Sequence, residues 1–283
     1  MRIGVSLLWL RPHQFAEIAR AAEELGFESV WASDHLILPA QPAQGTGGHG
    51  EVPPELPLYD VGALLGLIAG LTTTIRLGTW VYVLPVRDPL VSARVFQSLD
   101  VLSNGRVEVG VGVGYVAAEF AAAGIEFRTR GRRTDEAIEV MRRLWAGPGA
   151  EFRGKYYEFG PLTLAPRPVQ KPWPPILVGG ESDAAIRRAV RLGDGWLGME
   201  HTPETLEPVL AKVRAATESA ARDAPLSITV AAGRVAGGDL PMPDRKMLDG
   251  FEALGVDRVI VRPWRRSAEA LDGLTAFADD CLR

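Results

Sequence analysis

The sequence predicts a single (β/α)8 TIM barrel, in which eight parallel strands form a closed ring surrounded by helices, over residues 1–283. Short apolar segments alternate with amphipathic helical segments eight times along the chain, which is typical of parallel β/α folds. The length divided by eight gives about 35 residues a unit, close to the usual spacing of this barrel. A doubly wound sheet built from two halves is the alternative. One barrel is favoured because no linker and no shift in composition separates two halves.

The first half of the chain contains four strand–helix units. The opening strand "RIGVS" is short and apolar, and the helix after it has Phe15, Ile18 and Ala22 on one face. Gly26 stands where a helix C′ residue is expected. The elements predicted here are strand 2–6, helix 12–25, strand 29–33, a Gly- and Pro-rich loop 34–58, helix 59–71, strand 75–83, helix 89–103 and strand 106–113.

The second half keeps the alternation after one irregular segment that contains several prolines. The elements predicted here are helix 131–146, the irregular segment 147–172, strand 174–180, helix 183–193, strand 195–199, helix 203–222, strand 226–233, helix 243–254, strand 256–262 and helix 268–282. The segments near 34–58 and 147–172 are therefore predicted to be insertions in the barrel.

Composition excludes several classes of protein. The net charge of −4, with no long run of Lys and Arg, argues against a nucleic-acid-binding surface. The single cysteine, Cys281, excludes an internal disulfide and a cysteine-built zinc site, and no other metal-binding spacing is found. No apolar run approaches the ~20 residues of a membrane-spanning helix. We therefore expect a cytoplasmic protein without a bound metal.

A glycine-rich stretch follows the fourth predicted strand. Gly112 and Gly114, followed by Ala117, satisfy the dinucleotide fingerprint G-x-G-x-x-A, and Asp135 lies about twenty residues further on. In a dinucleotide-binding fold that turn normally follows the first strand. At the end of a barrel strand, glycine instead lets the backbone approach a ligand closely. We favour this second interpretation.

All loops that follow barrel strands lie on one face, so the residues in them should converge. Asp34 and His35 come after strand two, and a histidine beside a carboxylate there is placed for proton transfer near neutral pH. The alternative is that Asp34 caps a turn and His35 is an ordinary loop residue. After Thr79 in strand three, Trp80 and Val81 either support a flat ring or belong to the core.

A helix N-terminus follows strand five. Gly179 and Gly180, with the hydroxyl of Ser182 and the first turn of the helix, form a plausible phosphate-binding turn. The alternative is a tight turn in which Ser182 or Asp183 caps the helix. The carboxylate of Glu181 would repel a phosphate, so its backbone amide is expected to matter more than its side chain.

Several segments in this order resemble the luciferase-like monooxygenase superfamily, and most closely its coenzyme F420-dependent oxidoreductase branch. They are "WASDHLILP", "IRLGTWVYVLPVRDP", "GRVEVGVGVGYVAAEF", "RGRRTDEAIEVMRRLW" and "PPILVGGESDAAIRRAVRLGDGW". The resemblance implies a (β/α)8 barrel with insertions, F420 lying across the carboxyl ends of the strands, and a homodimer. FMN is the alternative cofactor.

The resemblance also implies roles for individual residues. His35 would lie near the reacting ring carbon with Asp34 beside it, and the Trp80–Val81 bond would be a non-proline cis peptide supporting the ring. The residues expected to bind the cofactor are Thr79, Trp80, Val81, Gly112, Gly114, Tyr115, Gly179, Gly180, Glu181 and Ser182. Tyr115 and Ala118 stand where some F420 sugar-phosphate dehydrogenases carry acidic and amide side chains, which argues against a sugar phosphate.

The leading functional hypothesis is hydride transfer between F420 and a small organic substrate, with the loop 34–58 as a lid containing Gly45, Gly47, Gly48 and Gly50. Aromatic residues near the mouth favour an apolar or aromatic substrate: Trp9, Trp80, Tyr82 and Trp264. One alternative is an FMN-dependent monooxygenase supplied with reduced flavin by a partner enzyme. Others are a binding protein without chemistry, and a phosphosugar lyase or aldolase that uses Arg234 in the segment 231–238.

Overall fold

The chain alternates strands and helices, as predicted. The computed structural model describes residues 1–41, 43–44, 51–222, 224–236 and 240–283. Its strands are β1 (Arg2–Ser6), β2 (Ser29–Ala32), β3 (Ala43–Gln44), β4 (Glu51–Val52), β5 (Arg76–Thr79), β6 (Tyr82–Val83), β7 (Val107–Gly112), β8 (Ala150–Arg153), β9 (Glu158–Leu162), β10 (Ile176–Gly179), β11 (Gly195–His201), β12 (Ser227–Ala232) and β13 (Arg258–Val261). Its α-helices are α1 (Phe15–Leu25), α2 (Val61–Leu71), α3 (Pro89–Leu102), α4 (Ala117–Ala122), α5 (Arg130–Ala146), α6 (Asp183–Leu192), α7 (Pro203–Ser219), α8 (Arg245–Ala253) and α9 (Ala270–Cys281).

Eight parallel strands close into a barrel, in the order β1, β2, β5, β7, β10, β11, β12 and β13. The ring is completed by the parallel pairs β10–β7 and β1–β13. This confirms the predicted (β/α)8 fold. The carboxyl ends of all eight strands therefore lie on one rim.

Three details differ from the sequence-based assignment. The predicted strand 75–83 is two strands, because the chain bends after β5, and β6 pairs with β7 beyond the bend. Helix α4 was not predicted; it is only six residues long. Antiparallel pairs, β3–β4 and β8–β9, lie within the two segments predicted as insertions. The glycines of the predicted lid lie outside the described residues.

Trp31 fills the inside of the barrel. It is fully buried and packs with Leu177, Leu197 and Ile260 from three other strands. Gly4 and Gly78 are required by the indole, since a Cβ on them would lie 2.5 Å from its Nε1 and 2.4 Å from its Cε3. The indole therefore fits in the centre of the barrel only because the neighbouring strands have no side chain at these two positions.

Below Trp31, a network of ion pairs closes the amino-terminal end of the barrel. Arg258, which is 1% exposed, donates to both carboxylate oxygens of Glu28 at 2.7 and 2.8 Å and to both of Glu108 at 2.6 and 2.7 Å. Arg76 donates to Glu108 at 2.7 Å. Each charge in this network thus has a partner of opposite sign, which is necessary because an unpaired charge removed from water strongly destabilises the fold.

Glu23 on α1 holds the turn that connects α2 to β5. Its Oε1 accepts hydrogen bonds from the amides of Thr73, Thr74 and Ile75 at 2.8, 2.6 and 2.9 Å. Burial alone would raise the pKa of Glu23, but these bonds and that of the Thr74 hydroxyl lower it to about 2. The ionised carboxylate therefore stabilises the folded chain.

Replacing Glu23 by glutamine is expected to lower the free energy of unfolding at pH 7 by about 1 kcal/mol, because a charge-assisted acceptor becomes a neutral one. The folded pKa lies below the unfolded value of 4.5, so this stabilisation is present above pH 4.5 and is lost as the pH falls towards 2. Urea unfolding measured from pH 7 to pH 2 should show the two proteins converging. Glu24→Gln at the exposed neighbouring position is the control; an equal loss there would contradict the assignment.

Candidate active site

Asp34 anchors the loop that follows β2. Arg87 donates to its two carboxylate oxygens, 2.8 Å for each bond, and the amide of Val83 donates at 3.0 Å. Burial raises the pKa of the Asp34 carboxyl, while Arg87 and the Val83 amide act in the opposite direction. Both of its oxygens are engaged by Arg87, so Asp34 joins the β2 loop to β6 and is not the carboxylate that holds His35. Its assignment as a catalytic residue stays a prediction.

His35 is held by Glu119 instead. Its Nδ1 lies 3.0 Å from Oε2 of Glu119, and its Nε2 lies 3.3 Å from the hydroxyl of Tyr115. The other oxygen of Glu119 accepts a hydrogen bond of 2.5 Å from the amide of Leu36. The Glu119 side chain is fully buried, and that of His35 is 6% exposed. A carboxylate that binds one imidazole nitrogen fixes the ring's orientation and leaves the other for proton exchange.

The ring of Tyr115 packs against that of His35. The two rings meet edge to face, with centroids 5.3 Å apart. Burial, and then the negative charge of Glu119, raise the pKa of Tyr115. The phenol therefore keeps its proton at neutral pH and remains a hydrogen-bond donor beside Nε2 of His35.

The bond between Trp80 and Val81 is a cis peptide, as expected from the resemblance. Val81 lies between two strands: a Cβ on Gly112 would be 2.5 Å from one of its methyl groups, and a Cβ on Gly179 2.8 Å from the other. Trp80 donates from Nε1 to the carbonyl of Gly198 at 3.2 Å. Both side chains are half-buried over the interior cluster around Trp31, so they form a shelf at the centre of the mouth.

Two other predicted cofactor residues are engaged within the protein. Thr79 is fully buried, and its hydroxyl donates to the carbonyl of Gly110 at 2.7 Å. Its hydroxyl is therefore engaged inside the barrel wall, and the assignment of Thr79 to the cofactor stays a prediction. Gly114 has a φ of +76°, and a Cβ on it would lie 2.7 Å from Val83 and 2.8 Å from Phe120. Glycine is needed there by the turn and by packing.

The turn after β10 leads into α6. Gly180 has a φ of +113° and donates its amide to the carbonyl of Leu197 at 3.2 Å. Ser182 caps α6 by accepting from the amide of Ala185 at 3.2 Å, as in the alternative considered from the sequence. The start of α6 thus lies on the same rim, directly after the Gly180 turn.

The side chain of Glu181 is engaged within the protein, and the expectation that its amide matters more for a phosphate stays a prediction. Its Oε1 accepts hydrogen bonds from the Met199 amide at 2.8 Å and lies 2.7 Å from Nε2 of His201. Nδ1 of His201 lies 3.1 Å from the hydroxyl of Thr205. The carboxylate thus ties the α6 turn to the end of β11.

The predicted site residues are gathered on one rim, but not all the predicted aromatic residues reach it. Tyr82 is 2% exposed with its hydroxyl 3.1 Å from Ser92, and Trp264 is 2% exposed. These two are therefore removed from the predicted lining of the mouth. Trp9 and Trp80 are half-buried there.

Sequence reasoning missed Glu119 and Arg87, although both lie in quoted motifs. Glu119 is the one charged residue in the run "YVAAEFAAA", and a lone carboxylate in an apolar run is a recognisable signal. Its role was missed because α4 was missed. Arg87 lies in "LPVRDP", where nothing local indicates its partner.

Within the described ranges, no three His, Cys, Asp or Glu side chains are close enough to hold a metal ion. No helix in the same part of the chain has both the length and the apolar character needed to cross a bilayer.

A family model described as luciferase-like monooxygenase matches residues 1–238. The chain belongs to this family. The resemblance inferred from the motifs is thereby confirmed.

Two relatives carry names that state a cofactor. An F420-dependent hydroxymycolic acid dehydrogenase of Mycobacterium tuberculosis is 34% identical over 260 residues, 90% of this chain and 63% of that protein. An F420-dependent glucose-6-phosphate dehydrogenase of Amycolatopsis mediterranei is 33% identical over 228 residues, 77% of this chain and 64% of that protein. This chain, a member of the luciferase-like family, thus spans just under two thirds of the length of each of these two relatives.

Among solved structures, a coenzyme F420-dependent tetrahydromethanopterin reductase from Methanopyrus kandleri matches with a TM-score of 0.79. The match covers 99% of this chain and 98% of the reductase at 19% identity. At this identity the likeness shows that this family member shares the reductase's fold.

Proposed function

We propose that this chain is an F420-dependent oxidoreductase that transfers a hydride between the deazaflavin and a small organic substrate. The observation that carries the proposal is the pairing of His35 with Glu119 at the mouth, beside the shelf formed by Trp80 and Val81. The names of the two curated relatives support the cofactor. The homodimer and the cytoplasmic location remain predictions.

The described rim fits a planar ring with an anionic tail. Trp80 and Val81 provide an apolar surface on which a flat ring can rest. On one side of Val81, the Gly180 turn and the first amides of α6 suit the anionic tail. The capping hydroxyl of Ser182 can still donate its hydrogen to that group.

When bound, F420 supplies a ring carbon that gives or accepts a hydride as a two-electron unit. The residues of this chain then align the substrate and manage the proton that accompanies the hydride. His35 holds or releases that proton at Nε2, while Glu119 fixes the ring through Nδ1. Tyr115, beside Nε2, shields the imidazole from bulk water.

Apolar side chains beside the mouth support an organic substrate with an apolar portion. Leu36 and Ile37 directly follow His35 and are 48% and 54% exposed. Trp80 is half-buried on the shelf. Together they offer a surface from which a substrate can displace water.

The test is a fluorescence titration of the purified chain with F420 and, separately, with FMN. We expect F420 to bind at least about tenfold more tightly, a difference of about 1.4 kcal/mol. Gly179→Ala should weaken F420 binding, because the added Cβ lies 2.8 Å from Val81. Gly160→Ala is the matched control, since a Cβ there meets no atom within 4 Å.

Tighter binding of FMN would replace the proposal by the second candidate, an FMN-dependent monooxygenase; the family's description names a monooxygenase. Tight binding of F420 without turnover of any alcohol, ketone or unsaturated compound in a broad panel would favour a cofactor-binding protein without chemistry.

A further inference from the structure

Buried polar atoms without a hydrogen-bond partner are concentrated on the last two barrel strands and the loops after them. Of six such side-chain atoms in the described part of the chain, four are Thr229 Oγ1, Arg234 Nε, Arg262 Nε and Trp264 Nε1. Buried donors in folded proteins are nearly always paired, because an unpaired one loses its hydration without compensation. Thr229 pairs in register with Arg258 at the closed end of the barrel, and Trp264 is only 2% exposed, so the two arginines are the unpaired donors of this group that a ligand at the mouth would complete.

Arg262 is directed towards the axis of the barrel. On β13, Arg258 binds Glu108 inside the barrel and Ile260 packs there against Trp31. Side chains alternate along a strand, so Arg262, one residue beyond the end of β13, faces the same way at the mouth. It is only 3% exposed, and its Nε has no partner within the described ranges.

Arg234 lies on the neighbouring loop, which follows β12. This loop is held in place from two sides: Glu200 accepts hydrogen bonds from the amides of Val235 and Ala236, and Nε1 of Trp9 donates to the Ala236 carbonyl at 2.7 Å. Because β12 and β13 are parallel neighbours, the two arginines emerge side by side on the rim. Arg234 is half-buried, so it is open to an incoming molecule.

The charges near the two arginines do not cancel. Burial, and then the like charge of Arg234, lower the pKa of Arg262 to about 10, while Glu200 acts in the opposite direction. The guanidinium of Arg262 therefore stays protonated at neutral pH. Arg234, Arg262 and Glu200 together carry two positive charges and one negative charge, and the net charge of about +1 in this group is one that a monoanion would balance.

We propose that Arg234 and Arg262 bind the carboxylate group of the substrate, which makes the substrate a small organic acid with an apolar portion. The proposal deepens the proposed function and rests on it. A guanidinium group matches the two oxygens of a carboxylate, and one carboxylate neutralises the excess charge. Arg234 receives the anion, Arg262 forms the buried end of the subsite, and the carbon to be reduced or oxidised is thereby directed towards the Trp80–Val81 shelf.

The test uses benzoate as the probe, because it joins a carboxylate to a flat apolar ring, with inorganic phosphate for comparison. Calorimetric titration of the full chain should give a benzoate Kd that rises at least about tenfold in Arg262→Met and in Arg234→Gln, through loss of a charged hydrogen bond. The control is Arg265→Gln, an exposed arginine three residues after Arg262. Thermal unfolding should show benzoate raising the Tm of the unaltered chain and of the control, but not of the two variants.

Three results would overturn the carboxylate subsite: no benzoate binding, an equal loss in Arg265→Gln, or tighter binding of phosphate than of benzoate. The F420 titration is run on the same variants. Weaker F420 binding in Arg262→Met and Arg234→Gln would assign the pair to the cofactor, overturning this proposal while leaving the F420-dependent function intact. If F420 fails to bind any form of the chain, the proposed function fails even where benzoate binding follows the arginines.

Discussion

Replacing His35 by alanine is expected to lower kcat by about 10²- to 10⁴-fold, the range that a positioned acid or base contributes. The substitution removes the atom that exchanges the proton but leaves the Trp80–Val81 shelf and the α6 turn in place. The Kd for F420 should therefore stay close to that of the unaltered chain. Steady-state kinetics with the substrate found in the panel, together with the fluorescence titration, separate the two effects.

His13→Ala is the matched control, because His13 is exposed on the short turn before α1. Its turnover should be unchanged. If His35→Ala keeps full turnover, proton exchange at Nε2 is excluded and His35 serves only to pack the loop. If instead F420 binding is lost with turnover, the imidazole contributes to cofactor binding rather than to proton transfer.

The barrel could be predicted from the sequence because its signal is repeated eight times, so errors at single boundaries do not change the topology. Short irregular elements have no such repetition. Helix α4 has six residues and no side-chain cap, and it was missed. The break between β5 and β6 was missed because "TWVYV" consists entirely of β-branched and aromatic residues, as a continuous strand would.

At the candidate site, position could be predicted but pairing could not. The loops after β2, β5, β7 and β10 were expected on one rim because topology demands it, and they lie there. The carboxylate that holds His35 belongs to Glu119, 84 positions further along the chain, whereas the adjacent Asp34 pairs with Arg87. Such pairing depends on side-chain direction, which the sequence does not show. The glycines were interpreted as positions where the backbone approaches a ligand. In the structure, Gly112 and Gly179 leave room for the methyl groups of Val81, which a Cβ at either position would contact too closely.

Arg258 at the closed end of the barrel gives the largest expected effect on stability. Arg258→Met is expected to lower the free energy of unfolding by about 3–5 kcal/mol, because it leaves Glu28 and Glu108 with buried charge that has lost its main partner. Chemical denaturation at pH 7 measures this. The control is Arg2→Met, since Arg2 contacts the same Glu28 at 3.8 Å but is 46% exposed, and such surface pairs contribute about 0–1 kcal/mol.

A second substitution distinguishes lost charge pairing from lost packing. Glu108→Gln removes a carboxylate that keeps only Arg76 as a charged partner in Arg258→Met, so the double variant should lose about 1–3 kcal/mol less than the sum of the two single losses. Arg76 still has the Gln170 side chain, at 3.0 Å, as a partner in that variant. The guanidinium of Arg258 also packs against Trp31, 5.4 Å from the ring centroid. Strictly additive losses would mean that Arg258 stabilises the barrel through this packing and that its ion pairs make no net contribution.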